Sequence, residues 1–219
     1  MNDTPVVIVT GASRGLGSAV AHWLGKVAAA VTLIARSEKN LNETGDKVRC
    51  LGGESLVCSA DVSQYSACCN AVEKTLDRFG RIDAVVNNAA VVQPISAVAQ
   101  SDPAEWRYNL EVNLLGPYNL IRASADALRR QKGRVVNVSS GAANLALESM
   151  SAYCAGKAAV RMAGVALADR RPCECRQSYR RQGGCRRIRS PLRCRSKGRF
   201  HGLWRGCSLH FFPWNGVAG

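Results

Sequence analysis

Acidic residues are scarce in this sequence, and the scarcity is concentrated at one end of the chain. Only 16 of the 219 residues are Asp or Glu, against 30 Lys or Arg, which gives a formal net charge of +14. Residues 170–219 contain 13 of the basic residues and one of the acidic ones, so the remainder is close to neutral. A basic character throughout is therefore excluded, and we interpret the chain as two parts, residues 1–168 and residues 169–219.

Long hydrophobic runs and paired cysteines are also lacking. No apolar run approaches the ~18 residues that a membrane-spanning helix needs, and no basic region precedes the first apolar run as in a signal peptide. Five of the ten cysteines precede residue 170 without paired spacing, which is typical of a reduced cytoplasmic protein. Hydrophobic residues make up 47% of the chain, so we expect a cytoplasmic globular domain without a membrane partner.

The first motif is a glycine-rich segment between an apolar run and a helical pattern. Val6 to Val9 predict a buried strand, Thr10 to Gly17 read TGASRGLG, and a helix is predicted from about Gly15 to Lys26. Glycines at such a turn let the backbone approach a pyrophosphate, and the helix N-terminus offers free N–H groups. This order predicts the phosphate-binding start of a dinucleotide fold. The cofactor-binding residues predicted here are Gly11, Ser13, Arg14, Gly15, Leu16 and Gly17.

Strands and helices alternate along the rest of the first part. Further strands are predicted at residues 31–35, 54–58, 82–86 and 135–138, and helices at 37–51, 63–79, 102–130 and 151–168. We expect helix caps at Ser37, Ser63 and Asp102, a helix end at Gly80 and a kink near Gly116–Pro117. The alternation predicts an α/β fold, a Rossmann-like, doubly wound parallel sheet with helices on both faces.

Two arginines bear on the choice of cofactor. The second strand ends in Arg36, where a carboxylate is usual when a ribose 2′-hydroxyl is bound, and Arg14 lies inside the glycine turn. Guanidinium groups near that ribose favour a 2′-phosphate, and hence NADP(H) over NAD(H). The alternative is that either arginine is simply solvated at the surface.

A serine, a tyrosine and a lysine follow near the end of the first part. Tyr153 lies thirteen residues after Ser140 and four before Lys157. In a helix, Tyr153 and Lys157 lie one turn apart on the same face, and an ammonium favours the phenolate form of a nearby phenol. A serine hydroxyl at the end of the preceding strand can hold a substrate oxygen beside that phenol. The plain alternative is a helix with one exposed Tyr and one exposed Lys.

Together these motifs resemble those of the classical short-chain dehydrogenase/reductases over residues 5 to about 168. In order they are the glycine turn, the Asp61–Val62 pair, NNAA at residues 87–90, Asn113, VNVSS at residues 136–140 and YCAGK at residues 153–157. Two positions depart from the family pattern, because Ala90 replaces a glycine and no glycine precedes the second strand. The sequence around Tyr153, YCAGKAA, is similar to the sepiapterin reductase and fungal benzil reductase-like branch.

The resemblance implies an oxidoreductase of the carbonyl reductase type, which transfers a hydride between NADP(H) and a carbonyl or secondary alcohol substrate. It implies that Tyr153 gives the proton, that Ser140 binds the substrate oxygen and that Lys157 holds the nicotinamide ribose. Asn113 would anchor a water that links Lys157 to solvent. Ser139 is the alternative to Ser140, although the spacing to Tyr153 favours Ser140.

On the cofactor side, the resemblance implies that Asp61 and Val62 flank the adenine and that Asn88 lies along the adenosine. It also implies a homo-oligomer and a small-molecule carbonyl substrate, whose identity the sequence does not specify. The alternative function is a non-catalytic protein that keeps the Rossmann-like fold and binds NADP, for example as a regulator.

The second part, residues 169–219, departs from the family pattern. We interpret it as a basic Arg- and Cys-rich tail that is disordered or out of frame. A nucleic-acid-binding arm and a metal site built from its cysteines and histidines are alternatives that we do not expect. The family's later strands are missing from it, apart from a short apolar segment around Phe211 and Phe212. We therefore expect an exposed edge on the fifth strand and impaired turnover.

Overall fold

A computed structural model describes residues 4–168 and 209–213, except the side chains of residues 165–168 and 209–213. The strands are β1 (Val6–Thr10), β2 (Ala30–Ala35), β3 (Glu54–Ser59), β4 (Ala84–Asn87), β5 (Arg134–Val138) and β6 (Leu209–Pro213). The helices are α1 (Gly15–Lys26), α2 (Glu38–Cys50), α3 (Tyr65–Phe79), α4 (Pro103–Leu110), α5 (Gly116–Gln131) and α6 (Ser151–Ala168). A π-helical turn (Glu111–Leu115) joins α4 to α5, and short 3-10 helices (Val98–Gln100 and Gly141–Ala143) precede α4 and α6.

The strands form one sheet in the order β3-β2-β1-β4-β5-β6. Strands β1 to β5 pair in parallel, and the register places Ile8 opposite Thr32 on one side and Val85 on the other. The predicted Rossmann-like α/β fold is confirmed. The strand order reverses between β1 and β4, and in such sheets the ligand crevice lies beyond the carboxyl ends of the strands at that reversal. The glycine turn after β1 and the polar residues after β4 therefore belong to one crevice.

Helices cover both faces of the sheet, which explains why its inner strands are apolar throughout. All five residues of β1 are buried, and alternate residues of a strand point to opposite faces. Ile8 packs in a cluster with α3 and α5, whereas Val7 and Val9 pack in a second cluster with α1 and α2. No helix in the part of the chain that the structure describes is long and apolar enough to cross a membrane.

Two of the predicted helix ends are confirmed. Asp102 caps α4 by accepting a hydrogen bond from the Ala104 amide at 2.8 Å. Gly80 follows α3 in the left-handed conformation, with φ at 75°. Both residues therefore do what their chemistry favours, a carboxylate accepting from free helix N–H groups and a glycine taking a positive φ.

Of the other two predicted caps, Ser63 is misplaced and Ser37 is placed as predicted. The prediction that Ser63 begins α3 is wrong, because the helix begins at Tyr65. The Ser63 amide instead donates to the Asp61 carboxylate at 2.9 Å, which makes residues 61–63 a turn. Ser37 stands at the N-cap position of α2 as predicted, but its side chain makes no capping hydrogen bond.

The predicted single helix over residues 102–130 is wrong in its middle. The chain forms α4, the π-helical turn and α5, and the predicted kink at Gly116–Pro117 is replaced by this wider turn just before it. A Cβ on Gly116 would lie 2.8 Å from the Val62 side chain, so close packing brings the start of α5 against the segment after β3. Isolated π-helical turns are frequent at functional sites, and this one contains Asn113.

The far edge of the sheet also differs from the prediction. β6 pairs antiparallel with β5, with Phe211 opposite Val136, so the prediction of an exposed edge on β5 is wrong. The physical reason is that unpaired backbone groups of an edge strand accept an extended apolar segment, and the C-terminal part holds one such segment in Leu209–Pro213. The interpretations of the remaining tail, including its basic and cysteine residues, lie outside the described residues.

Candidate active site

The glycine turn between β1 and α1 forms the floor of the crevice. Gly11 and Gly15 have φ values of 63° and 58°, in the left-handed region that favours glycine. A Cβ on Gly11 would lie 2.8 Å from Nδ2 of the Asn88 side chain, and a Cβ on Gly17 would collide with the Gly11 carbonyl. A Cβ on Gly15 would meet no described atom within 4 Å, so this side of the turn is open to a ligand. The N-terminus of α1 has no side-chain cap, so its first N–H groups face the crevice without a side-chain acceptor.

Thr10 and Asn88 hold the ends of β1 and β4 together below this turn. Thr10 Oγ1 accepts hydrogen bonds from the Asn88 and Ala89 amides at 2.9 and 3.0 Å. The Asn88 side-chain amide donates to the carbonyls of Thr10 and Gly11 at 3.0 and 3.2 Å. Asn88 therefore supports the glycine turn directly.

A cavity of about 450 Å³ opens at this turn. Most of the residues predicted to bind the cofactor line it, namely Gly11, Ser13, Arg14, Gly15, Arg36, Asp61, Val62 and Asn88. Two residues predicted from the glycine motif do not line it: Leu16 packs from α1 against the core, and Gly17 lies under the turn. Tyr153 and Lys157 are also outside this lining, so the cavity and the predicted catalytic group occupy different parts of the crevice.

Three polar side chains form a hydrogen-bonded chain in this cavity. The Arg36 guanidinium donates to the Tyr108 hydroxyl at 2.7 Å, and that hydroxyl donates to the Asp61 carboxylate at 3.1 Å. Burial and the neighbouring Asp61 charge raise the pKa of Tyr108, so the hydroxyl stays protonated. Burial alone would raise the pKa of Asp61, but hydrogen bonds from Ser63 and Tyr108 and the charge of Arg36 outweigh it and lower that pKa. Asp61 is therefore an anion at neutral pH.

Ser140, Tyr153 and Lys157 come from two segments that meet at the end of β5. Tyr153 and Lys157 lie one turn apart on α6, and Lys157 Nζ lies 5.7 Å from the centre of the Tyr153 ring. Lys157 is 4% exposed and donates to the Val138 carbonyl at 3.0 Å, which ties α6 to the strand end that precedes Ser140. Ser140 Oγ accepts a hydrogen bond from the Ala142 amide at 3.2 Å, and its own proton is available for donation.

Asn113 lies in the π-helical turn and packs against α6. Its Nδ2 donates to the Val91 carbonyl and to Asn109 Oδ1, both at 2.7 Å, and its Oδ1 accepts from the Val91 amide at 3.2 Å. A Cβ on Gly156 would lie 3.1 Å from the Asn113 Cβ, so α6 passes close to Asn113 one residue before Lys157. Asn113 therefore fastens the segment after β4, and its role as a water anchor stays a prediction.

A family model described as short chain dehydrogenase matches residues 5–171, which is most of the chain. The chain belongs to the short-chain dehydrogenase family. The matched residues include the glycine turn, the cavity lining and the group of Ser140, Tyr153 and Lys157. The resemblance predicted from the order of the motifs is confirmed at the level of the family.

Curated relatives of this chain are longer than the segment that matches them. 11-beta-hydroxysteroid dehydrogenase A of Sesamum indicum is 36% identical over 156 residues, which cover 71% of this chain and 45% of the relative. An uncharacterized oxidoreductase of Schizosaccharomyces pombe is 31% identical over 168 residues, which cover 76% of this chain and 66% of the relative. The chain thus spans about half to two thirds of the length of these relatives. The narrower resemblance to the sepiapterin reductase branch is not confirmed and stays a prediction.

Solved structures similar to this chain contain either of the two nicotinamide dinucleotides. A metagenomic short-chain oxidoreductase in complex with NADP is 36% identical, with a TM-score of 0.72 and 75% of each chain covered. An NAD+-bound xylitol dehydrogenase is 27% identical, with a TM-score of 0.72, 77% of this chain and 66% of that one covered. The family fold therefore accommodates both cofactors.

Two polar residues of α4 were missed by the sequence reasoning, Tyr108 and Asn109. Asn109 is fully buried, and its side-chain amide donates to the carbonyls of Val91, Val92 and Gln93 at 3.2, 3.3 and 2.6 Å. Polar residues in a helical pattern are usually taken to face solvent, which hides such contacts. The available signal is the spacing of Asn109 and Asn113, which puts two amides on one helix face.

Proposed function

We propose that this chain is an NADP(H)-dependent carbonyl reductase, which transfers a hydride between the cofactor and a carbonyl or secondary alcohol. The observation that carries the proposal is the buried ammonium of Lys157, 5.7 Å from the Tyr153 ring centre and tied to the end of β5. Lysine is rarely buried without a functional or paired role. Reduction of a carbonyl needs a positioned hydroxyl that gives its proton to the substrate oxygen, and Tyr153 supplies that hydroxyl in this proposal.

The glycine turn fits the pyrophosphate of a dinucleotide. Side chains are excluded at Gly11 and Gly17 by close backbone packing, whereas Gly15 borders open space in front of the α1 N-terminus. Backbone N–H groups and the positive end of the helix dipole would hold the phosphates there. When bound, the nicotinamide group supplies or accepts the hydride.

The adenosine end of the proposed site lies in the 450 Å³ cavity. Asp61 and Val62 would flank the adenine, and Asn88 would support the glycine turn beside the adenosine. Arg14 and Arg36 line the same cavity and can pair with a 2′-phosphate, which supports NADP(H) over NAD(H).

The proton follows a short path in this proposal. During reduction the Tyr153 hydroxyl donates its proton to the substrate oxygen, and during oxidation the phenolate takes that proton back. Ser140 donates a hydrogen bond to the same oxygen, because its Oγ accepts from the Ala142 amide and its proton is left to donate. Lys157 holds the ribose hydroxyls. Asn113 supports α6 beside Lys157 and anchors a water.

The test has two parts. The first is a titration with NADPH in which tryptophan fluorescence reports binding, and the second is an assay of NADPH oxidation over a panel of ketones, diketones and aldehydes. We expect saturable binding and substrate-dependent NADPH oxidation. Saturable binding with no turnover on any substrate would favour the non-catalytic NADP-binding protein instead. Absence of binding would refute the cofactor site itself. The impaired turnover predicted from the C-terminal part is measured in the same assay.

Ser140→Ala is expected to lower turnover about 100-fold with little change in NADPH affinity, because the reacting oxygen loses a hydrogen-bond donor. Ser139 provides the matched control, since it is 4% exposed and its Oγ has no hydrogen-bond partner among the described residues. Ser139→Ala removes a hydroxyl that contributes no hydrogen bond, so turnover should fall less than about threefold. The measurement is kcat for both variants. The reverse order of effects would assign the role to Ser139.

A further inference from the structure

Tyr108 stands between two opposite charges that line the same cavity. The Arg36 guanidinium reaches the Tyr108 hydroxyl at 2.7 Å, the hydroxyl reaches the Asp61 carboxylate at 3.1 Å, and all three residues line the cavity. The Arg36 carbon Cζ also lies 6.0 Å from the centre of the Tyr108 ring. The three side chains come from the end of β2, the segment after β3 and α4, so one hydroxyl connects three separate parts of the fold.

The direction of both hydrogen bonds follows from the chemistry of the groups. A guanidinium can only donate and an ionised carboxylate can only accept, so the Tyr108 hydroxyl accepts from Arg36 and donates to Asp61. No direct ion pair joins Arg36 to Asp61 within the described ranges, because the hydroxyl lies between them. Without it, the two charges are close enough to attract each other, and a bidentate Arg–carboxylate pair would use the donors that a phosphate needs.

We infer that Tyr108 determines the preference for a 2′-phosphate, because its hydroxyl keeps the Arg36 guanidinium from pairing with Asp61. This rests on the proposed function, in which the cavity receives the adenosine end of NADP(H). Tyr108 is then a positioning residue, and the phosphate contact belongs to Arg36. Asp61 stays directed to the Ser63 amide and the adenine side of the cavity.

The experiment compares two fragments of the cofactor, 2′,5′-ADP and 5′-AMP, by isothermal titration calorimetry on the full chain. The dissociation constant of 5′-AMP divided by that of 2′,5′-ADP measures the contribution of the 2′-phosphate. Effects on adenine binding cancel in that ratio. We expect the wild type to bind 2′,5′-ADP more tightly. Tyr108→Phe keeps the aromatic ring and should reduce the ratio about tenfold, which corresponds to the loss of one charge-assisted contact.

A double variant separates the proposed role from a simple packing effect. Asp61→Asn removes the competing charge, so Tyr108→Phe combined with Asp61→Asn should recover most of the ratio that Tyr108→Phe alone loses. Tyr118→Phe is the matched control, because Tyr118 is an exposed tyrosine on α5 outside the cavity lining, and its ratio should equal that of the wild type.

The outcomes distinguish this inference from the proposed function. A wild type that binds both fragments with the expected preference, together with an unchanged ratio in Tyr108→Phe, overturns the inference alone. An equally low ratio in the single and the double variant also overturns it, since the Asp61 charge would then not be the competitor. A wild type that binds neither fragment overturns the cofactor site and the inference together.

Discussion

Tyr153→Phe is expected to lower turnover about 1,000-fold while NADPH affinity stays within about twofold of the wild type, because the proton donor is removed and the ring is kept. The phenyl ring of this variant would still lie beside Lys157, whose ammonium is 5.7 Å from the Tyr153 ring centre in the wild type. Lys157 also keeps its bond to the Val138 carbonyl, so the start of α6 should not move. The measurements are kcat under saturating NADPH and the dissociation constant of NADPH from fluorescence.

Tyr65→Phe is a suitable control for the same chemical change elsewhere. Tyr65 lies at the start of α3 with 45% of its surface exposed, and it should tolerate loss of its hydroxyl without an effect on turnover. Tyr153→Phe with more than about a tenth of wild-type turnover would contradict the proposed proton donor, since general acid catalysis contributes at least about 100-fold. A fall in NADPH affinity of the same size as the fall in kcat would instead indicate a disturbed site.

The strands that are buried on both faces were predictable, because their apolar runs are continuous. β1, β2 and β5 each begin or end within about one residue of the predicted run. The additional residues are Thr10, Ala30 and Arg134, which lie one position outside the predicted runs and still pair in the sheet. Propensity therefore locates such strands well, and backbone pairing with neighbours sets their exact ends.

The π-helical turn was not predictable from local pattern, because contacts distant in sequence impose it. Asn109 just before this turn and Asn113 within it bind backbone groups of residues 91–93. Gly116 packs against Val62, where any Cβ would clash. None of these contacts changes the helical periodicity of the sequence, so the sequence was compatible with one long helix. The pairing of β6 with β5 is a similar case, because about seventy residues separate the two strands.

The candidate site likewise contains some residues that could be predicted from the sequence and others that could not. The glycine turn and the group of Ser140, Tyr153 and Lys157 could be named from the sequence because their spacing is tied to chemistry, and Asp61 was named from the family resemblance. The turn and Asp61 lie at the cavity, and the predicted catalytic group lies at the end of β5. Tyr108 could not be named, because its position between Arg36 and Asp61 depends on how α4 packs over the sheet. Residues that act through a neighbour are visible only once the fold brings that neighbour close.

Thr10→Val is expected to destabilise the fold by about 2–4 kcal/mol, because two backbone amides lose their acceptor and each such loss costs about 1–3 kcal/mol. Thr10 is 2% exposed, and its Oγ1 accepts from the Asn88 and Ala89 amides at 2.9 and 3.0 Å. Valine has nearly the same shape and suits a strand, so packing should be kept and the effect should come from the hydroxyl. The measurement is the free energy of unfolding from urea denaturation.

Thr10→Ser is the matched control for this prediction, since it keeps the acceptor and loses only a methyl group. It should cost no more than about 1.5 kcal/mol, a typical value for one buried methyl. Because Asn88 in turn holds the Gly11 carbonyl, Thr10→Val should also weaken NADPH binding while Thr10→Ser should not. Equal destabilisation by the two variants would show that water replaces the hydroxyl at both amides. The contact between the ends of β1 and β4 would then depend on packing instead of on the hydrogen bonds of Thr10.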